Sequence, residues 1–268
     1  MNEQSKIIKK IADCLAIILI VMIIGGILSA TGILSVFTPA ESFTPADEVT
    51  TFSADSVDEL DIEVACADIS FVSSDFLGVE ADTSCFRIKS KGRKITVEEK
   101  GNLFKPNVSR KLTVYVPEGF AFNRVSLELG ASALEAETLK TEVLDLDTGA
   151  GHTLFKKLDV TEKADIDCGA GEIIIEKSTV KKLDFSLGVG SADITTKIGS
   201  DADIESGVGE LSLTLEDGKE KYCFDIETGL GSIVFDGASV RNDTLLGNGN
   251  TKIQLEGGVG SIDVKFIS

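Results

Sequence analysis

Three residue patterns in this chain could carry chemistry: glycine-rich loops, repeated carboxylates and one histidine. The segments LGVGSADI from Leu187 and TGLGSIVF from Thr228 look like the loops that cradle phosphate in nucleotide-binding proteins. A phosphate loop needs a following helix whose N-terminus faces the anion. Alternating apolar residues, typical of a strand, follow the loops in this sequence. We therefore interpret the loops as structural turns.

The glycine motif recurs, and a loop that grips one phosphate has no reason to do so. Its first glycine stands at Gly130 and then about every 19–20 residues up to Gly207. Apolar residues three and five places earlier keep the same step, as Leu144 and Leu146 show. One unit therefore predicts a strand, a glycine turn, a second strand and a polar turn. The structural turn glycines are Gly149, Gly151, Gly169, Gly171, Gly188, Gly190, Gly207, Gly209, Gly229, Gly231, Gly258 and Gly260.

Units of this kind cannot bury their apolar residues alone and must stack on one another. The pattern predicts an all-β fold, a single-stranded parallel β-helix or β-solenoid of ~19–20-residue coils. The segment ACADISF from Ala65 carries the same pattern with alanine for glycine, so we expect an early, divergent coil there. The last interval, from Gly229 to Gly258, is 29 residues long and predicts a looser loop or an incomplete coil.

Aspartates alternate with the inward apolar residues and would form outward rows ~4.8 Å apart in such a stack. Two readings stay open: a solvated acidic face, or a ladder of calcium ligands. The ladder would consist of Asp145, Asp165, Asp184, Asp203 and Asp225. His152 is the one histidine, and other repeats hold Glu172 or Ser191 at its position, so we interpret it as a turn residue. We expect no catalytic residue and no cofactor other than possible calcium.

The composition argues against two classes of protein, nucleic-acid binders and disordered acidic chains. The 268 residues carry a net charge of −18, which argues against nucleic acid as a partner. A hydrophobic content of 43% with strand-like alternation argues against a disordered acidic chain. Beyond Cys14, four cysteines could form two disulfides or could be reduced and buried, and both alternatives stay open. These four are Cys66, Cys85, Cys168 and Cys223.

The N-terminus predicts a single-pass membrane protein. Three lysines lie in the tail 1–10, and the run from Leu15 to Ala40 carries no charge, which is long enough for a membrane helix at 11–37. The positive-inside rule places the tail in the cytoplasm and the rest of the chain outside the membrane. A cleaved signal peptide is the alternative. A linker at 38–58 and a β-domain at 59–268 would follow, with a hairpin region at 86–119 that could cover one end of the stack.

The repeats LDLDTGAGHTL, ADIDCGAGEIII, LDFSLGVGSADI and ADIESGVGELSL, together with LTVYVPEGF, resemble the putative adhesin family of bacterial β-strand-repeat proteins. Many members carry the label "domain of unknown function" and follow a membrane span. The resemblance implies a right-handed β-helix from about Asp61 to Ile267, and it carries over no catalytic residue.

We therefore expect a non-enzymatic, membrane-anchored surface module of the cell envelope. Its partner would be a cell-wall polymer or an envelope protein. The alternatives are an envelope-stress sensor acting through a membrane partner and a polysaccharide-acting enzyme.

Overall fold

A computed structural model describes residues 47–100, 110–240 and 244–267. These residues form sixteen β-strands in one sheet and one 3-10 helix, Lys219–Lys221. The predicted all-β, solenoid-like fold is confirmed. The predicted tail 1–10 and membrane helix 11–37 lie outside the described residues. Within the described ranges, no helix is long and apolar enough to cross a membrane.

The body of the stack consists of parallel coils. Its strands are β8 (Phe122–Ala136), β9 (Leu139–Phe155), β10 (Leu158–Ile198), which runs through two coils, and β11 (Asp201–Leu215). Each strand pairs in parallel with the equivalent segment one coil away, so that Ile166 lies opposite Leu146. The register follows the step of the glycine repeat.

Each coil buries three groups of side chains rather than the two that the sequence indicates. Leu144 and Leu146 are buried before the glycine corner, and Phe155 after it. The third group, Leu158 and Val160, lies in the segment that reads as a polar turn. The charged residues that flank this group point outward, and they make the segment look like a polar turn in the sequence. Burial of each apolar side chain contributes ~1.5–3 kcal/mol, so the extra group strengthens every coil.

The glycine corners bring successive backbones into contact. Gly151, Gly171, Gly190, Gly209 and Gly260 have φ of 140–146°. A Cβ atom at these positions would lie 1.8–2.0 Å from a carbonyl oxygen of the neighbouring coil. A Cβ at the first glycine of each corner would also meet neighbouring backbone, at 2.9 Å for Gly149 and 2.2 Å for Gly258. The corners therefore need glycine for space and, at the second position, for backbone conformation.

The coils do not stack in sequence order at the C-terminal end. Strand β16 (Thr251–Phe266) pairs in parallel with β11 on one side and with β12 (Tyr222–Thr228) and β13 (Ser232–Phe235) on the other. The last segment of the chain thus lies between two coils that precede it. In the described part of the last interval, which the sequence predicts to be a looser loop or an incomplete coil, residues Thr244–Gly247 pair with β12 and β16 begins at Thr251.

The N-terminal end has the mirror arrangement. Strands β2 (Glu59–Val64) and β3 (Asp68–Ser74) pair with β8, which confirms the divergent early coil. Beyond them lies an outer coil of β6 (Lys94–Glu99) and β7 (Lys111–Pro117). The corner at Ala65 lacks glycine, and the Glu99 carboxylate accepts hydrogen bonds from the backbone N–H groups of Ala65 (2.8 Å) and Cys66 (3.1 Å).

Antiparallel strands cover both outer coils. At the N-terminal end, β5 (Phe86–Lys91) pairs with β6 and β4 (Leu77–Asp82) pairs with β7. Gly92, at φ 63°, forms the turn of the predicted β5–β6 hairpin. At the other end, β15 (Thr244–Gly247) pairs with β12 and β14 (Ala238–Val240) with β13.

The sheet also begins earlier than expected. Strand β1 (Asp47–Phe52) pairs with β4, although its residues fall in the predicted linker at 38–58. The alternation of β1 is too short and polar to distinguish it from a linker by sequence. Backbone pairing with β4 makes this segment a strand.

Replacing Gly190 with alanine should destabilise the fold by at least ~3 kcal/mol, because the new Cβ would lie 1.9 Å from the Gly171 oxygen. Urea unfolding followed by circular dichroism measures this loss. The matched control is Gly92→Asn, at a turn where a Cβ meets nothing within 4 Å. It should cost less than ~1 kcal/mol, since asparagine tolerates this conformation. Equal losses for both variants would show that corner stacking is not what requires glycine.

Removing residues 250–268 should unfold the C-terminal end beyond the deleted strand. Because β16 separates β11 from β12, its loss leaves both edges without their parallel partner. Hydrogen exchange should show lost protection at 222–235 and retained protection at 139–175. Protection of 222–235 that survives the deletion would indicate stacking in sequence order instead.

Candidate functional site

One outer face of the sheet presents carboxylates. We define the acidic face as the outward side chains of the strand segments that precede the glycine corners, arranged in two rows. The first row contains Asp61, Asp145, Asp165, Asp184, Asp203 and Asp225, and the second contains Glu63, Glu128, Asp147, Asp167, Glu205, Glu256 and Glu227. Their inward neighbours, such as Leu146 and Ile166, are buried, so the alternation of the strands fixes the carboxylates outward.

The parallel register aligns most of the predicted aspartate ladder. Asp145 lies opposite Asp165, and Asp184 opposite Asp203. Gln254 of the inserted strand then lies between Asp203 and Asp225. The sequence-order ladder is therefore interrupted at its last step. The second row gains a member from the same insertion, since Glu256 lies opposite both Glu205 and Glu227.

Basic side chains of the protein counter the first row. Arg124 Nη1 lies 2.9 Å from Asp145 Oδ2, and Lys94 Nζ lies 2.5 Å from Asp61 Oδ2. Lys163 Nζ bridges two coils, at 2.5 Å from Asp165 Oδ2 and 3.5 Å from Asp184 Oδ2. These pairs are largely exposed and contribute little stability each. They nevertheless reduce the negative charge available to an external cation along this row.

Three carboxylates of the second row lack such a basic neighbour at ion-pair distance in the described part of the chain. Glu128, Asp147 and Asp167 form no ion pair with any residue in the described ranges. They lie along a shallow open groove of about 230 Å³ that Ser126, Asp145 and Asp165 also line. We call this groove the acidic groove. Its five carboxylates come from three successive coils, so its floor is the rigid sheet itself.

Crowding of like charges shows in the pKa values. Partial burial, followed by the charges of Asp165, Asp147 and Asp184, raises the pKa of Asp167 above its ordinary value. Partial burial and the charges of Asp184 and Glu256 raise the pKa of Asp203 in the same way, against the opposing effect of Lys182. Asp167 is exposed and Asp203 is half-buried, so solvent screens part of this repulsion. An added positive charge at the groove would relieve it.

The arrangement differs from a preformed metal centre. Among residues 47–100, 110–240 and 244–267, no three His, Cys, Asp or Glu side chains converge as metal ligands would. Calcium binding by Asp145, Asp165, Asp184, Asp203 and Asp225 stays a prediction. His152 lies exposed just after its corner, with Nδ1 3.1 Å from Glu172 Oε2 of the next coil.

The cysteines of the described residues do not form disulfides. Cys66, Cys85, Cys168 and Cys223 are free in the structure, so the two disulfides left open by the sequence are not formed. Cys85 and Cys168 are buried. Burial raises the pKa of the Cys168 thiol, which makes it a poor nucleophile.

Sequence reasoning missed the cations that balance the first row. A signal was available, because Lys163 stands two residues before Asp165, and Lys182 two before Asp184. Residues two apart on a strand share a face. It also missed Glu256 as a member of the second row, because that assignment depends on the insertion of β16.

The fold and the face together define a class: an all-β, solenoid-like module that displays carboxylate rows on a rigid sheet. A family model described as Toastrack DUF4097 matches residues 57–258, and the chain belongs to this family. The family resemblance stated from the repeats is thereby confirmed. No curated protein matches the chain.

Solved structures that are similar to this chain come from several bacteria. A putative adhesin from Bacteroides fragilis is 12% identical, with 84% of this chain and 98% of that chain covered and a TM-score of 0.47. A putative adhesin from Parabacteroides merdae is 14% identical, with 83% and 96% covered and a TM-score of 0.41. A putative cell adhesion protein from Clostridium sporogenes is 15% identical, with 83% and 100% covered and a TM-score of 0.34.

Asp167→Asn should raise the melting temperature at pH 7 and low salt. A carboxyl whose folded pKa is raised destabilises the fold when charged, so the penalty is full above that pKa. The gain should vanish as the pH falls through the raised pKa toward the ordinary value of 3.8. Thermal melts at several pH values measure it. Glu142→Gln, at an exposed position of β9 that does not line the groove, is the control and should leave the melting temperature unchanged. A gain that persists at pH 3 would exclude charge repulsion as the cause.

Proposed function

We propose that this chain is a non-enzymatic surface module of the bacterial envelope that binds a cationic partner at its acidic face. The observation that carries the proposal is the second row of carboxylates. Glu128, Asp147 and Asp167 hold their charge without a described counterion, on a sheet that fixes their spacing. Preorganised charge at fixed spacing gives orientation and speed of encounter to a binding partner.

The partner that fits is extended and carries repeated positive charges. Carboxylates recur one strand apart, ~4.8 Å, so the long, flexible amine side chains of a basic peptide segment, or the amines of a wall polymer, can contact several of them at once. The groove is open and shallow, which suits a chain lying across several coils better than an enclosed small molecule. The partner classes therefore agree with the envelope protein or cell-wall polymer expected from the sequence.

The membrane anchor is part of the same proposal. The predicted helix at 11–37, which is uncharged from Leu15 onward, would span the bilayer once, with the tail 1–10 in the cytoplasm and the β-domain outside the membrane. A module that acts by presenting a surface gains from such an anchor, because its partner then meets it at a fixed boundary. The right-handed winding implied by the family resemblance also stays a prediction.

A lysine decamer tests the binding face directly. The triple variant Glu128→Gln, Asp147→Asn, Asp167→Asn should bind a fluorescent lysine decamer roughly tenfold more weakly, since exposed charge pairs contribute ~0.2–1 kcal/mol each. Fluorescence anisotropy measures the dissociation constant. The control removes the same charge from other exposed positions, with Glu142→Gln, Glu176→Gln and Asp193→Asn. Equal weakening by both variants would assign the binding to overall charge and would refute a specific face.

A further inference from the structure

The N-terminal end of the stack differs in charge from the rest of the chain. The β5–β6 hairpin segment 86–100 contains six Lys and Arg residues against two Glu, a net charge of +4 in a chain whose total is −18. The hairpin also occupies an extreme position in the sheet. Among the described strands, β5 pairs with β6 and with no other strand, so it forms an edge of the sheet.

The cations of β5 share one face. Arg87, Lys89 and Lys91 alternate along the strand and are exposed, whereas Phe86 is buried on the opposite face. We call these three residues the basic edge. Edge strands often carry lysine as a block against aggregation, and that role is the structural alternative to a binding role.

Internal ion pairs do not cancel the charge of the basic edge. Arg87 and Lys89 share one carboxylate, that of Glu98, at 3.2 Å and 2.9 Å. Lys91 makes no ion pair with the described residues, and its cross-strand neighbour is another cation, Lys94. Repulsion between such neighbours is unfavourable for folding alone. An anion bound at this edge would remove it.

The chain enters the domain at the same end. Strand β1 begins at Asp47, pairs with β4, and β4 pairs with the outer coil strand β7. Nine residues separate the predicted membrane span, which ends at residue 37, from β1. At ~3.3–3.6 Å per residue they reach at most about 35 Å. The proposed anchor would therefore hold the start of β1 within this distance of the bilayer.

We propose that the basic edge docks on anionic lipid headgroups of the membrane in which the chain is anchored. The proposal rests on the membrane anchor of the proposed function. Phosphate groups of the headgroups would pair with Arg87, Lys89 and Lys91, while the acidic face would be repelled from the same surface. Lys89 and Asp61 both lie opposite Thr96 on one outward face, so docking at this end would let the acidic rows run along the stack away from the lipid. The short tether favours lipid over soluble polyanions, because it makes the docking intramolecular.

Lysine footprinting in lipid nanodiscs tests the docking. The full chain is placed in discs of phosphatidylcholine alone or with phosphatidylglycerol, and amine acetylation is followed by mass spectrometry. Lys89 and Lys91 should react about fivefold or more slowly in the anionic discs, and 0.5 M salt should remove the difference. Lys177 and Lys197, exposed on other parts of the domain, are internal controls and should react equally in both discs.

A double variant identifies the residues responsible. Arg87→Thr with Lys91→Thr keeps strand propensity and leaves Lys89 as the reporter. Each removed cation weakens attachment about fivefold, so Lys89 should react at its neutral-disc rate. The matched variant Lys177→Thr with Lys197→Thr has the same net charge and should retain Lys89 protection.

The outcomes separate docking from anchoring. Equal Lys89 rates in neutral and anionic discs overturn the docking. Protection in neutral discs by added polyphosphate, equal to that by lipid at the same phosphate concentration, overturns the choice of lipid. Protection without lipid together with a doubled mass in light scattering assigns the edge to a second copy of the chain. If alkaline washing removes the chain from the discs, the anchor is refuted, and flotation with anionic vesicles then decides the docking.

Discussion

The stack depends on the distance between successive backbones at the glycine corners. A carbonyl oxygen of one coil occupies the space where the next coil would place a Cβ, within 1.8–2.0 Å of it at five corners. That contact leaves almost no freedom for one coil to slide past another, because a shift of one residue would bring a side chain into the corner. The register that is fixed at the glycine corners also holds along both faces of the sheet. Buried residues such as Ile166 and Leu146 meet inside, and Asp165 and Asp145 meet outside, for the same reason.

The interleaved ends solve a problem that every stack of coils has. A terminal coil exposes one row of unpaired backbone groups, which invites pairing with another chain. In this protein β2–β3 and β16 each lie one coil inside an end of the stack. Each of them pairs with a parallel strand on both sides. The outer coils then receive antiparallel strands. Phe224, Phe235 and Phe266 pack together at the C-terminal end and close the core there. The long-range pairing makes the two ends cooperative with the body.

The parts of the fold that local residue patterns determine could be predicted from the sequence. The step between glycines predicted the coil length, and the alternation around Leu144 and Leu146 predicted the inward rows, because both follow from the period of a strand. The insertion of β16 could not be predicted in this way. Its residues, such as Ile253 and Leu255, fit any position in a stack of similar coils, so neighbours are selected by long-range topology. The same distinction holds for the candidate site. The repeat predicted the first row from Asp145 onward. The place of Glu256 in the second row and the balancing role of Lys163 depend on which coils are adjacent.

The strongest argument for a partner is that only some carboxylates of the acidic groove form ion pairs within the protein. Two charges ~4.8 Å apart repel by roughly 0.9 kcal/mol in water, and by more where water is partly excluded. The protein relieves this repulsion in the first row with Arg124 and Lys163, and leaves it at Asp147 and Asp167, where the pKa of Asp167 is raised. Solubility alone requires no such arrangement, since interspersed charges serve it equally well. A cationic partner in the acidic groove would remove repulsion that the fold itself bears. Its binding would therefore stabilise the stack as well as occupy the face.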